Sequence, residues 1–366
     1  MKDVNRLRVT VNYIDSRIVK LIAKRFELTK DIGEEKKRCG IPLRNWEVEK
    51  TVIDNAVKTA VQVAIPPALI KSIMQQLIAE SCKQQEMLHY SCYNGAKEKI
   101  LVIGGNGNMG RWFSSFLKIQ GHNVAVYDTR GKVVGYSSYQ NIEKGLNDST
   151  CVLIATPLEI VPRMVTLITK MRFRGLLFDI ASLKGHLERS IRAARDQGML
   201  ITSIHPMFGP RTRILSDKVI CICDCGNSHA NEKVKRFFKT SAVSLVQLSL
   251  KEHDQLISYV LGLSHLVNVI FMDVLRNSGY RYSMLKKVAS TTFLSQMTTA
   301  ASVINENPRL YFAIQKFNPY KNRLFAELLH ATKRVTKHIL ERNEGQFKQI
   351  MSKSRAWLGA DNGMVP

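Results

Sequence analysis

The 366-residue chain is short of acid: 30 Asp and Glu stand against 54 Lys and Arg, a formal charge of +24. So one-sided a balance suits anionic partners, whether small polyanionic substrates, a dinucleotide, nucleic acid or an acidic membrane. The chain lacks any block of Lys and Arg and any RNA-binding signature, so the charge is dispersed and nucleic acid is not expected as a partner. Its seven cysteines lack the spacing of a disulfide framework and the paired CxxC units of a zinc site, so no metal is expected. Cys221, Cys223 and Cys225 alternate in VICICDC, which places them on one face of a buried strand. Free thiols and the absence of a signal peptide point to a reducing cytoplasm. Internal repeats and low-complexity tracts are also missing. One uncharged stretch, Gln255 to Met272, has 18 residues, long enough to suggest a membrane span. Gln255, Ser258, Ser264, His265 and Asn268 interrupt it, and Asp254 and Asp273 bound it. A buried helix, at a subunit interface, is expected there instead of a membrane segment.

What is present is enough for two or three domains with a sizeable core, at 45% hydrophobic residues. Leu7, Val11, Ile14, Ile18, Leu21, Leu28 and Ile32 recur at helical spacing, predicting one helix over residues 4–38, stopped by Gly40 and Pro42. Such a helix is about 50 Å long. It cannot hide its apolar stripe inside a small domain, so a second chain is expected against it. Further helices are expected over 45–62 and 66–90, then a linker at 91–97. KILVIGG, HNVAVYD, CVLIATP, GLLFDIAS and MLITSIHP are apolar runs separated by helical stretches, the alternation of a parallel sheet with crossover helices. Little strand pattern follows residue 250. The expected organisation is therefore a helical domain (1–90), a linker (91–97), a Rossmann-type parallel-sheet domain (98–249) and an all-helical C-terminal domain (250–366) for substrate and dimerisation.

Gly105-Asn106-Gly107-Asn108-Met109-Gly110 fits GxGxxG. It follows a strand, opens a helix and precedes Asp128 at the end of the next strand, the context that makes the motif specific. The glycines permit a tight turn and close approach to a pyrophosphate at the helix N-terminus. Asp128 accepts hydrogen bonds from ribose hydroxyls and repels a 2′-phosphate, which favours NAD; Arg130 beside it leaves NADP open. Later in the chain, Met199, Leu200 and Ile201 lead to His205, which runs directly into Pro206. A neutral imidazole at the carboxyl edge of the sheet can take a hydroxyl proton while hydride leaves the same carbon.

From Lys99 to about Tyr320 the chain resembles prephenate dehydrogenases, on VIGGNGNMGRWF, ATP at 155–157, FDIASLK at 178–184, IHPMFGP at 204–210 and KEHDQ at 251–255. The resemblance implies that His205 deprotonates the ring hydroxyl of prephenate and that Ser182, Lys184 and Ser264 line the active site. It adds Thr156, in the ATP tripeptide, to the cofactor contacts Gly105, Gly107, Asn108, Met109, Gly110 and Asp128. The implied reaction is oxidative decarboxylation to 4-hydroxyphenylpyruvate.

Residues 4–90 resemble the all-helical class of chorismate mutase, on LR at 7–8, AKRFEL at 23–28, Lys36, Glu49, Ser81 and Gln85. Lys36 lies 11 residues after Arg25, three turns plus about 20°, hence on one face. Arg8 is turned about 100° from Arg25 and can serve a partner chain's site. By resemblance, Arg8 and Arg25 hold chorismate's carboxylates, Lys36 and Gln85 address the ether oxygen, Glu49 takes the ring hydroxyl, and Ser81 binds substrate. Cations hold such a dicarboxylate in its folded conformer, and donors stabilise charge growing on the ether oxygen.

Two departures stand out. Helical mutases carry an arginine just before the glutamate; here it is Val48, with Arg44 a substitute. Dehydrogenases of this family place arginines on a C-terminal helix where this chain reads Leu294 and Ser302. Arg211 and Arg213, directly after the histidine turn, are expected to supply that charge. The missing arginines also leave open arogenate as substrate and a nucleotide-sensing protein with a decayed mutase; a third reading is an NADP-linked hydroxyacid dehydrogenase with an unrelated helical dimerisation arm.

Overall fold

A computed structural model describes residues 3–39, 41, 45–89, 93 and 95–360. The chain divides into two compact units, Met1–His253 and Asp254–Pro366.

The first unit begins with helices α1 (Val4–Cys39), α2 (Trp46–Gln62) and α3 (Pro67–His89). Asn45 caps α2, its side chain accepting from the Glu47 and Val48 amides at 3.0 and 3.3 Å. Helix α3 packs against both α1 and α2. The stripe Leu7, Val11, Ile14, Ile18 and Leu21 on α1 stays between 48% and 64% exposed. The expected helix stop at Gly40 and Pro42, and Arg44, lie outside the described residues.

An eight-stranded sheet follows: β1 (Lys99–Ile103), β2 (Asn123–Tyr127), β3 (Ser137–Tyr139), β4 (Cys151–Ile154), β5 (Leu176–Asp179), β6 (Leu200–Pro206), β7 (Val219–Asp224) and β8 (Ser244–Ser249), in the order β3-β2-β1-β4-β5-β6-β7-β8. Helices α4 (Asn108–Ile119), α5 (Ile142–Asn147), α6 (Val161–Lys170), α7 (Glu188–Asp196) and α8 (Ser228–Phe238) alternate with the strands. Strands covered on both faces read as continuous apolar runs, and every residue of β4 and β5 is buried. Phe113, Phe116, Phe237 and Phe238 fill the space between helices and sheet.

One expectation needs correction. The sheet is not wholly parallel, because β7 runs antiparallel to β6. The physical reason is the connection: residues 207–218 form a loop with no helix, and a parallel return needs a crossover. Of the stretch expected as a linker, Tyr93 and residues 95–97 are described. Tyr93 is buried with its ring centroid 4.5 Å from that of His122, and Lys97 Nζ donates to Tyr93 O (2.7 Å) and Gln120 O (2.6 Å). The chain is thus pinned to the sheet domain before β1 begins.

Helix α9 (Leu250–Ile257) follows β8 and carries the chain across the unit boundary. The described part of the second unit is helical: a π-helical stretch Ser258–Leu263, then α10 (Ser264–Asn277), α11 (Tyr282–Lys287), α12 (Thr291–Ile304), α13 (Pro308–Phe317), α14 (Lys321–Leu340) and α15 (Glu344–Ala360). Within the single chain, only 22% of an 18-residue apolar window in Leu250–Asn277, the run expected at a subunit interface, is covered. Val260, Ile270 and Val274 are exposed, although α10 packs on α12 and the π-helical stretch and His265 stacks on Tyr311 of α13. By length and a mean hydropathy of 1.6 this run would suffice to cross a membrane. Its polar residues have bonds of their own: Asn268 Nδ2 donates to Ser264 O at 2.8 Å and Asn268 Oδ1 accepts from Gln296 Nε2 at 2.9 Å.

Candidate active sites

The sheet carries the first site along one edge. Strands β2, β1, β4, β5 and β6 are parallel neighbours in that order. Their carboxyl ends deliver, in turn, Asp128, the glycine loop, Thr156, the Ser182 loop and His205. Open α/β sheets bind ligands along this edge, at the point where connections diverge. Here that point lies between β1 and β4, and His205 is three strand spacings from β1, about 14 Å.

The glycine loop is shaped by close approaches. A Cβ on Gly105 would lie 2.1 Å from Val126 Cγ1, and one on Gly110 would lie 2.3 Å from Gly104 O. Gly107 caps α4 without a side-chain bond, leaving the first-turn amides for a ligand. Asp128, at the end of β2, accepts from the Asn106 amide at 2.8 Å and the Arg130 amide at 2.9 Å. Burial pushes its carboxyl up, but the Arg130 and Asn106 hydrogen bonds outweigh this and hold it below the usual carboxylate value. The Thr156 hydroxyl oxygen is buried with no partner among the described residues. A turn with no room for side chains, open amides, a held carboxylate and an orphaned hydroxyl suit a dinucleotide.

His205 is 4% exposed near the end of β6, opposite Cys221 of β7. Its Nδ1 lies 2.9 Å from Nε2 of His253, itself fully buried on α9. Burial first, then the His253 ring and the Lys184 ammonium, drives His205 well below the ordinary imidazole value. It is neutral at physiological pH. Lys184 is fully buried, and its ammonium donates to Asp179 Oδ1 (3.2 Å) and to the carbonyl of Ile204 (2.8 Å), the residue before His205. It braces the ends of β5 and β6 from within. Ser182 is half-buried, and Arg211 and Arg213 are exposed. Ser264 opens α10 in the second unit and is exposed.

Buried His122 and half-buried His265 are shifted the same way. His122 and His265 are each depressed to about 4 by burial, with Lys97 adding at His122. These groups take up protons only on unfolding, so acid favours the unfolded state. Thermal stability is expected to hold above pH ~6.5 and fall steadily as pH drops from there toward ~4. Melting curves across that range check this; an unchanged midpoint would contradict it.

The second site lies between α1 and α3. Arg25 Nη1 donates to Ser81 Oγ (2.8 Å) and Leu77 O (3.2 Å), and Thr29 Oγ1 donates to Ser81 Oγ (3.3 Å). Gln85 Nε2 donates to Thr29 O at 2.6 Å. Gly33 makes room for it, since a Cβ there would lie 2.7 Å from Gln85 Cγ. Ser81 and Gln85 are 4% and 5% exposed, so their polarity is held inside a helix interface. Lys36 on α1 and Glu49 on α2 are half-buried, and Arg8 is exposed. Val48 is 56% exposed.

Three family profiles match the chain: "Chorismate mutase type II" over residues 7–86, "Prephenate dehydrogenase, nucleotide-binding domain" over 122–247 and "Prephenate dehydrogenase, dimerization domain" over 249–353. The chain belongs to the fused chorismate mutase–prephenate dehydrogenase family. It is 22% identical over 364 residues to a T-protein of Haemophilus influenzae, covering 98% of this chain and 93% of that one. A T-protein of Enterobacter agglomerans is 24% identical over 309 residues, covering 84% and 80%. In fold, prephenate dehydrogenase from A. aeolicus, solved with hydroxyphenyl propionate and NAD+, aligns with a TM-score of 0.58 at 16% identity, over 72% of this chain and 97% of that one. The mutase and dehydrogenase domains are those of tyrosine biosynthesis, an isomerase joined to an oxidoreductase. The glycine loop precedes the residues matched by the nucleotide-binding profile, so its assignment rests on its geometry.

His253, Thr29 and Gly33 belong to the two sites through contacts that no motif in the sequence states. His253 sits inside KEHDQ, and Gly33 is a glycine within a long helical pattern; both are visible signals.

Proposed function

We propose that the helical domain rearranges chorismate to prephenate and that the sheet domain oxidises prephenate with NAD to 4-hydroxyphenylpyruvate and CO2. The observation that carries this is the pairing of a buried neutral His205 with a dinucleotide-shaped edge, on a chain that also holds the Arg25–Ser81–Gln85 cluster. When bound, the dinucleotide supplies the hydride acceptor, held by Gly105, Gly107, Asn108, Met109, Gly110, Asp128 and Thr156. His205 keeps its proton on Nδ1, donating to His253, and presents Nε2 to the substrate hydroxyl. The hydroxyl proton passes to Nε2 as hydride leaves the same carbon. The bond to the ring carboxylate breaks, its electron pair completes the aromatic ring as CO2 departs, and the ring oxygen regains its proton from His205. Ser182 faces the same edge; Lys184 acts from inside by fixing the strand that carries His205. Arg211 and Arg213 attract the substrate carboxylates.

In the mutase, Arg25 holds one carboxylate while Ser81 fixes its guanidinium. Gln85 has a second N–H, beyond the one given to Thr29, for the ether oxygen, and Lys36 joins it there. Glu49 takes the ring hydroxyl. The exposed stripe on α1 supports a homodimer in which Arg8 serves the partner's site; the exposed apolar face of α10 supports a second contact. The proposed setting is the cytoplasm, with neither nucleic acid nor membrane as partner.

Incubation with chorismate should yield prephenate, and later addition of NAD should yield 4-hydroxyphenylpyruvate. Absence of the first product, or a preference for arogenate over prephenate, would overturn the corresponding half. Asp128→Asn should raise the KM for NAD about ten- to hundredfold and narrow the preference over NADP, since a charge-assisted ribose contact is lost. An unchanged ratio of kcat/KM for the two coenzymes would count against Asp128 as the selector.

A further inference from the structure

The dinucleotide helix and the loop after the histidine turn are joined by one side chain. Trp112 lies two residues past Gly110 on α4, and its indole Nε1 donates to Thr212 O at 2.6 Å across 100 residues of sequence. Its ring lies 5.0 Å from that of Phe208, in the histidine turn, and stacks on Phe116 at 5.1 Å. The loop is anchored by Phe208 against this ring at one end and by Leu215, fully buried in the core, at the other. Between these anchors Thr212 N donates to Gly209 O at 3.0 Å, forming a turn. Arg211 and Arg213 flank the carbonyl that Trp112 holds.

We propose that Trp112 is a positioning residue, its indole N–H fixing the Thr212 carbonyl so that Arg211 and Arg213 are presented to the dianionic substrate. This rests on the reading of those arginines given above. Long cationic side chains on an untethered loop lose more freedom on binding an anion. A loop held by the coenzyme helix loses less, and substrate affinity becomes tied to the element that binds the dinucleotide.

The test is steady-state kinetics of full-length Trp112→Phe, which keeps an aromatic ring and removes the N–H, alone and combined with Arg211→Ala and Arg213→Ala. The KM for prephenate should rise about three- to tenfold, the loss of one hydrogen bond, while kcat and the KM for NAD stay within about twofold. In the background lacking both arginines, Trp112→Phe should add nothing. An unchanged prephenate KM for Trp112→Phe, with a raised one for the double arginine variant, would overturn the tether and leave the arginine reading standing. An equal rise in both backgrounds, or a parallel rise in the KM for NAD, would also overturn it, as a packing effect. If removing both arginines leaves the prephenate KM unchanged, the underlying reading fails first.

Discussion

Replacement of His205 by asparagine should slow prephenate oxidation by about 10²- to 10⁴-fold in kcat, the range of a lost general base. NAD affinity and mutase activity should not change. The size follows from the site: His205 is buried, its Nδ1 is committed to His253 at 2.9 Å, and the Lys184 ammonium braces the adjacent residue. Asparagine can reproduce the hydrogen bond toward His253 but cannot accept a proton at pH 7. Water does not readily replace it in a position only 4% exposed. Stopped-flow reduction of NAD together with a mutase assay on the same sample separates the two activities. Wild-type turnover would remove His205 from the chemistry; simultaneous loss of mutase activity would mean misfolding instead.

Lys36→Ala should lower chorismate rearrangement about 10²- to 10³-fold in kcat, the loss of a donor to an oxygen whose charge grows in the transition state. Prephenate oxidation should continue at the parental rate. Arg25, Ser81, Thr29 and Gln85 are cross-bonded between α1 and α3. The helix pair should therefore stay assembled, which circular dichroism can verify. A mutase that ran unchanged would place the ether-oxygen donor elsewhere.

Periodicity made the large features legible. The 3.6-residue stripe located α1, and the alternation of apolar runs with helical stretches located six strands. The strands β3 and β8 carried no such pattern, for each lies at a sheet edge. Ser137–Tyr139 is three residues long, and Ser244–Ser249 mixes polar and apolar residues with none fully buried. The antiparallel turn into β7 depends on residues 207–218 failing to form a helix, which propensity alone does not decide.

At the sites, residue types were readable and directions were not. Lys184 stands in a motif that suggests a group facing substrate, yet its ammonium turns inward to Asp179 and the Ile204 carbonyl. His253 and Trp112 act across 48 and 100 residues of sequence. Such contacts come from the order of strands in the sheet and the placing of helices over it, neither of which one sequence states. The run near α10 has a related ambiguity: apolar composition shows that a surface needs covering, not whether the same chain or a second one covers it.

The sharpest measurement is the pH dependence of kcat/KM for prephenate at saturating NAD. Burial, the neighbouring His253 ring and the Lys184 charge keep His205 unprotonated well below its ordinary value, so the rate should stay level as pH falls through ~6.5 and decline, with a slope of one proton, only at lower pH. A decline centred at or above ~6.5, or one that persists unaltered in His205→Asn, would contradict the assignment of a buried neutral imidazole as the proton acceptor.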